Sequence, residues 1–131
     1  MTRSQTADHR IAPPTHNGAL GEYGETLAAR HLVAGGMVLL DRNWRCREGE
    51  VDLLLRDGDV LVACEVKTRT TFECGTPHEA VDAAKVARLR RVADEWVRER
   101  SLSPGDIRVD LVAVLRPPRG ASVVEHVAGV G

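Results

Sequence analysis

Two neighbouring apolar runs in this chain carry acids where a sheet would end, and one of them adds a lysine two residues further on. The first reads Gly49-Glu50-Val51-Asp52-Leu53-Leu54-Leu55 and the second Val60-Leu61-Val62-Ala63-Cys64-Glu65-Val66-Lys67. Side chains two apart on a strand share a face, about 7 Å apart along the chain. Glu65 and Lys67 therefore project together, while Cys64 and Val66 point the other way. If the two runs pair as a hairpin, Asp52 is brought to the Glu65/Lys67 face. Two carboxylates and an ammonium then converge on one spot, an arrangement suited to holding a divalent cation against a phosphate.

Mg²⁺ takes one or two protein carboxylates and keeps positions open for water and phosphate oxygens. Asp52 and Glu65 match that need, and the backbone carbonyl of Val66 is a candidate third ligand. Such an ion lowers the pKa of a water and neutralises charge on the phosphate. Lys67 would orient the attacking water or stabilise developing negative charge; the sequence does not choose between these roles. Taken alone, an acid and a lysine two apart on a strand are usually a solvated surface pair. Here Leu61-Val62-Ala63-Cys64 precedes them without alternation, the pattern of a central strand buried on both faces.

The elements that must position these residues follow from periodicity. Residues 1–17 hold a Pro13-Pro14 pair and little apolar content, and are expected to form a disordered tail ahead of one domain over 18–131. Leu20, Tyr23, Leu27, Ala28, His31 and Leu32 recur at helical spacing and predict a helix from about Ala19 to Ala34, ended by Gly35-Gly36. Met37-Val38-Leu39-Leu40 predicts a first strand that runs into a polar stretch, Asp41 to Arg45. The two runs described above follow, joined by Arg56-Asp57-Gly58-Asp59, whose Asp-Gly is a hairpin signal. A loop is expected over Thr68 to Pro77 and a long helix from about His78 to Arg100, with Leu89, Val92, Ala93, Trp96 and Val97 as its apolar stripe. Arg108 to Leu115 predicts a fourth strand, and Ser122 to Val127 a short edge strand. The order α-β-β-β-α-β implies an α/β fold with a mixed sheet flanked by helices, and a parallel, right-handed crossover between the third and fourth strands.

Composition narrows the function classes. A chain of 131 residues supplies one modest core, and with aromatics at 3% that core must be built from Val, Leu and Ala. The formal net charge of −1 offers no global basic signature for nucleic acid, which counts against a DNA-coating protein more than against an enzyme. Cys46, Cys64 and Cys74 are odd in number and lack C-x-x-C spacing, so they read as reduced thiols of a cytoplasmic protein. No apolar run approaches the roughly 18 residues of a membrane span, and no signal-peptide core is evident, so no membrane role is expected.

A third acid stands in the first helix. Gly21-Glu22-Tyr23-Gly24-Glu25 places two glycines and two glutamates in one turn. Glu25 near the helix N-terminus is accounted for by the macrodipole alone. Gly24 is not, since glycine inside a helix costs about 1 kcal/mol relative to alanine; close approach of the backbone to a strand or ligand would explain it. Glu25 is then a candidate for the metal's outer shell or for positioning a water.

Together, Gly21-x-x-Gly24-Glu25, Asn43-x-Arg45, Gly49-Glu50-Val51-Asp52-Leu53 and Glu65-Val66-Lys67-Thr68-Arg69 resemble the YraN-like bacterial family. Gly75-x-Pro77, Lys85 and Arg108-Val109-Asp110 agree with it, in order, from about Gly21 to Leu115. Members of that family are described as predicted endonucleases distantly related to archaeal Holliday-junction resolvases. The resemblance implies a restriction-endonuclease-like fold and a PD-(D/E)XK site. By position, Asp52 is the motif's aspartate, Glu65 its second acid, Lys67 its lysine and Glu25 the acid borne on the helix. Val51 and Ala63-Cys64 stand where such proteins often carry Ile and Phe-Val, apolar exchanges that leave the site intact.

The expected function is thus a Mg²⁺- or Mn²⁺-dependent nuclease acting on DNA, including branched or damaged DNA. A non-catalytic nucleic-acid-binding domain and a dimerisation domain are the alternatives, and a homodimer fits the small size. Arg69, Lys85 and Arg88 are candidates to meet phosphates, Lys85 and Arg88 lying one helical turn apart. Glu50 shares the strand face of Asp52 and either assists or is merely solvated. His31 is expected to be a partly buried core residue, Trp44 and Trp96 packing residues, and Cys74 an exposed loop thiol without a nucleophile's surroundings.

Overall fold

In a computed structural model, residues 18–70 and 81–130 are described. The element order is α1 (Gly18–Ala34), β1 (Val38–Cys46), β2 (Gly49–Asp57), β3 (Val60–Arg69), α2 (Ala83–Glu99), β4 (Asp106–Leu115) and β5 (Val123–Val127). The strands form one sheet in the order β1-β2-β3-β4-β5. β1–β2, β2–β3 and β4–β5 are antiparallel, and β3–β4 is parallel. This is the mixed α/β sheet with two helices that the sequence predicts, consistent with a restriction-endonuclease-like core. The expected tail over 1–17, Cys74 and most of the loop to Pro77 lie outside the described residues.

The sheet separates two cores because its central strand is apolar on both faces. Val62, Cys64 and Val66 of β3 pack with Ala28, Ala29 and Leu32 of α1. Leu61 and Ala63 pack with Val86, Leu89, Val92, Ala93, Trp96 and Val97 of α2. Alternate residues of one strand face opposite sides, so α1 and α2 cover opposite faces. Leu53, Leu54 and Leu55 of β2 are fully buried, each burial contributing about 1.5–3 kcal/mol.

Turn chemistry agrees with the sequence where it was strongest. Asp57 still pairs with Val60, so the two-residue loop is Gly58-Asp59, and Gly58 takes the positive φ (+61°) that the first position of such a hairpin loop requires. After α1, the Gly35 and Gly36 N–H groups donate to the carbonyls of His31 and Val33, closing the helix.

Three expectations need correction. The polar stretch after Leu40 does not interrupt the first strand; β1 continues through it to Cys46, with a bulge between Leu39 and Asp41. Its polar residues have work there, Asp41 Oδ2 accepting from Trp96 Nε1 at 3.0 Å. The second helix begins at Ala83 rather than near His78, which itself lies outside the described residues. Asp82 is extended and its carboxylate accepts from the Lys85 N–H at 2.8 Å, a side-chain cap that ends the helix there. His31 is exposed, not part of the core. Among the described residues no helix is long and apolar enough to cross a membrane.

Candidate active site at the fork between two strands

The ladder between β2 and β3 stops at the pair Leu53↔Cys64. Beyond it the strands part: residues 49–51 stay with β1, while residues 65–69 stay with β4. Asp52 and Glu65 are the first residues past the last paired rung, which is why both acids stand at the mouth of the fork.

Asp52 is turned into that fork by a break in strand alternation. Leu53 packs on the α1 face, yet Val51, two residues earlier, packs on the α2 face. The neighbouring strand makes the same change: Arg42 reaches Thr26 and the Glu22 carbonyl of α1, whereas Trp44 packs with the α2 core. Between them lies Asn43 at φ +54°, a left-handed conformation in which asparagine is enriched. With the strand rolling over at this point, the Asp52 side chain meets the edge of β3, and its Oδ2 accepts from the Val66 N–H at 2.8 Å. In an extended residue the carbonyl projects to the same side as the N–H, so the Val66 carbonyl also faces the fork.

Glu65 and Lys67 continue the α2-facing series of Leu61 and Ala63. Glu65 Oε2 lies 3.3 Å from Lys67 Nζ and 2.6 Å from Lys85 Nζ. The Glu65 side chain is only 8% exposed, so both ammonium groups meet a desolvated carboxylate. From the other side, α1 brings Glu25, whose Oε1 accepts from Asn43 Nδ2 at 3.0 Å and lies 3.7 Å from Arg42 Nη2.

Gly24 explains how α1 comes so close. A Cβ at that position would collide with the Thr68 side chain of β3, its Cβ included. Close approach to a strand is therefore the reason for a glycine in mid-helix, as its composition suggested. Glu25 sits seven residues beyond the start of α1, too far from the first turn for the macrodipole to account for it.

The electrostatics are those of acids crowded without enough compensation. Burial, and then the charge of Glu65, push the Asp52 carboxyl up to about 7 from an ordinary 3.8, against the pull of the Val66 N–H; Glu25 and Glu50 add to the rise. Burial raises Glu25 as well, opposed by the Asn43 hydrogen bond and the Arg42 charge. Among the described residues, Asp52 Oδ1 and Glu65 Oε1 accept no hydrogen bond. Two poorly exposed carboxylates, each with an oxygen to spare among the described residues and one raised by burial and by the charge of the other, fit a divalent cation. No group of three His, Cys, Asp or Glu side chains gathers closely enough to hold a metal among the described residues. The protein can offer two carboxylates and a carbonyl, which is the sparse ligand set that Mg²⁺ accepts.

The structure thus brings Asp52, Glu65 and Lys67 together and sets Glu25 close by. It places the three expected phosphate contacts differently. Arg69 is exposed at the end of β3, beside a cleft of about 300 Å³ lined by Leu20, Gly21, Val66, Thr68 and Thr70. Lys85 is drawn inward onto Glu65. Arg88 lies against Gly49, its Cδ 3.2 Å from where a Cβ there would stand. Glu50 is a surface charge, 3.4 Å from Arg45. Trp96 is a packing residue, 5% exposed, and Trp44 packs beside it. The Arg100 guanidinium covers both rings at 4.2 and 5.7 Å. Reasoning from sequence overlooked the role of Asn43, visible only as part of the Asn43-x-Arg45 pattern, and the link from Lys85 to Glu65, for which no local signal exists.

A model of the uncharacterised protein family UPF0102 matches residues 24–114, most of the chain and all of this site. A UPF0102 protein of a Nocardioides species is 68% identical over 113 residues, 86% of this chain and 91% of the relative. UPF0102 proteins of Frankia alni and Streptomyces coelicolor are each 56% identical, over 85% and 86% of this chain and 92% and 88% of their own lengths.

Proposed function

The chain belongs to the uncharacterised protein family UPF0102, and on that footing we propose that it is a metal-dependent nuclease of the PD-(D/E)XK type that hydrolyses phosphodiester bonds in DNA. The observation that carries this reading is the fork itself: two crowded carboxylates, each with an oxygen that accepts no hydrogen bond among the described residues, and a lysine 3.3 Å from one of them, at the point where two strands part. A purely structural site gains nothing from a carboxyl whose ionisation is opposed by its neighbour. A divalent cation between Asp52 and Glu65 would remove that conflict.

Such an ion supplies charge neutralisation on the scissile phosphate and a more acidic water. Asp52 and Glu65 would hold it, with the Val66 carbonyl as a further donor. Lys67 presents its ammonium beside Glu65, where it would orient the attacking water or balance charge building on the phosphate. Glu25, held by Asn43, would position water from the α1 side. The hydrogen bonds from Val66 and Asn43 keep both acids in place before any substrate arrives, the preorganisation that electrostatic catalysis needs.

The test is cleavage of labelled single-stranded, duplex, flap and four-way-junction DNA, with an RNA control, in Mg²⁺ or Mn²⁺. The wild type should cut at least one DNA substrate in a metal-dependent manner, and Lys67→Ala should lower the rate by about 100-fold or more. Retention and salt-sensitive binding without cutting would instead identify a nucleic-acid-binding domain that keeps the fold.

A further inference from the structure

Lys85 is tied more closely to Glu65 than is the lysine of the proposed catalytic set. Its Nζ donates to Glu65 Oε2 at 2.6 Å, against 3.3 Å for Lys67. Both ammonium groups share one oxygen of a carboxylate that is almost wholly buried. A divalent cation arriving at that carboxylate would face two positive charges within a few ångströms, in surroundings where water screens them poorly. One of the three must give way.

The construction of the site decides which. Lys67 is on the same strand and face as Glu65, two residues along, so the strand keeps the two side chains neighbours whatever enters the site. Glu65 is held in the central strand between β2 and β4. Lys85 comes from another element: it is the third residue of α2, reaching the carboxylate across the gap between helix and sheet, so nothing in β3 returns its ammonium to Glu65 once it is displaced. A lysine ammonium is a point charge with no fixed geometry to lose when it swings out.

We propose that Lys85 is the stand-in for the metal: its ammonium neutralises Glu65 in the empty site, is displaced when the divalent cation enters, and is thereby released towards the phosphates of the nucleic acid. The proposal rests on the nuclease reading. It makes Lys85 a positioning residue that opposes metal binding until substrate offers its ammonium another anion. Metal and nucleic acid then bind with positive coupling, since each favours the arrangement that the other needs. The competing account is a plain tether, in which Lys85 does no more than fasten the first turn of α2 to the sheet.

Titration calorimetry with Mn²⁺, on the full chain without nucleic acid, separates these accounts. Lys85→Met should bind Mn²⁺ about tenfold more tightly than the wild type, a shift of about 1.4 kcal/mol. Lys85→Arg keeps the charge and should stay within about twofold of the wild type. Asp52→Asn should abolish binding. If Lys85→Met proves poorly folded by circular dichroism, Lys85→Gln, neutral and polar, takes its place with the same expectation. Binding that needs Asp52 but is unchanged or weakened in the neutral Lys85 variants overturns the stand-in and leaves the nuclease reading intact. Binding that is absent from the wild type and from the folded neutral Lys85 variants alike, or that is indifferent to Asp52→Asn, overturns the nuclease reading and the stand-in with it.

Discussion

Asp52 shows how one side chain can strain the fold that holds it. Its carboxyl loses a proton at about 3.8 in an unfolded chain but is held up to about 7 here by burial and by Glu65. Between those values the unfolded state binds fewer protons than the folded one. Stability of the metal-free protein therefore falls as pH rises from about 4 to 7. Asparagine keeps the acceptor for the Val66 N–H and removes the charge. Asp52→Asn is expected to stabilise the metal-free protein at pH 8 by on the order of 2–4 kcal/mol while abolishing the proposed cleavage. Thermal melting from pH 5 to 8 checks this. In the wild type, added Mg²⁺ should recover stability at the upper end of that range, and in Asp52→Asn it should do nothing. A variant that melts lower than the wild type at pH 8 would refute the account of Asp52 as a strained acid.

At the level of elements, the site depends on how closely α1 lies against β3. Helix propensity alone predicts that Gly24→Ala stabilises α1 by about 1 kcal/mol. The added methyl would meet the Thr68 side chain at its Cβ, which has no freedom to rotate away. The net expectation is a loss of about 1–3 kcal/mol, as for overpacking generally, with α1 shifted and Glu25 drawn off Asn43. In a double-mutant cycle, Thr68→Gly should recover part of that loss, and additive effects would exclude the contact. The helix as an element was legible from its apolar spacing, and the odd glycine flagged a close approach. Which strand residue it approaches was not, because that depends on the angle at which α1 crosses the sheet.

Across the whole molecule, a second ionic network links β2, β4 and β5. Asp110 of β4 is completely buried. It accepts from Arg108 Nε at 2.8 Å, from the Gly129 N–H at 3.0 Å, and pairs with His126 Nε2 at 2.7 Å. Burial alone would raise its carboxyl, but these hydrogen bonds and the Arg108 charge together bring it below the ordinary value. Arg108 also reaches Asp57 at the end of β2, 3.1 Å away. Removing one member of a buried pair strands the other, so Arg108→Ala should cost about 3–5 kcal/mol. Denaturant unfolding measures that cost, and Mn²⁺ affinity of the folded variant should match the wild type. Altered affinity would mean that the network supports the site as well as the sheet.

The sequence by itself determined the order of the elements and the common face of Glu65 and Lys67, and it singled out Asp52 as the acid to set beside them. Those are properties of local periodicity: alternation places Glu65 and Lys67 together, and an unbroken apolar run marks β3 as central. Family membership agreed with the resemblance read from the same motifs. Tertiary structure alone decided what surrounds them. The left-handed turn at Asn43 rolls two strands together, and a lysine twenty residues from Glu65 in sequence reaches its carboxylate. The Asp82 cap, which starts α2 later than periodicity suggests, sets the turn from which that lysine reaches. Contacts of this kind depend on where one element crosses another, and no period within either element records the crossing.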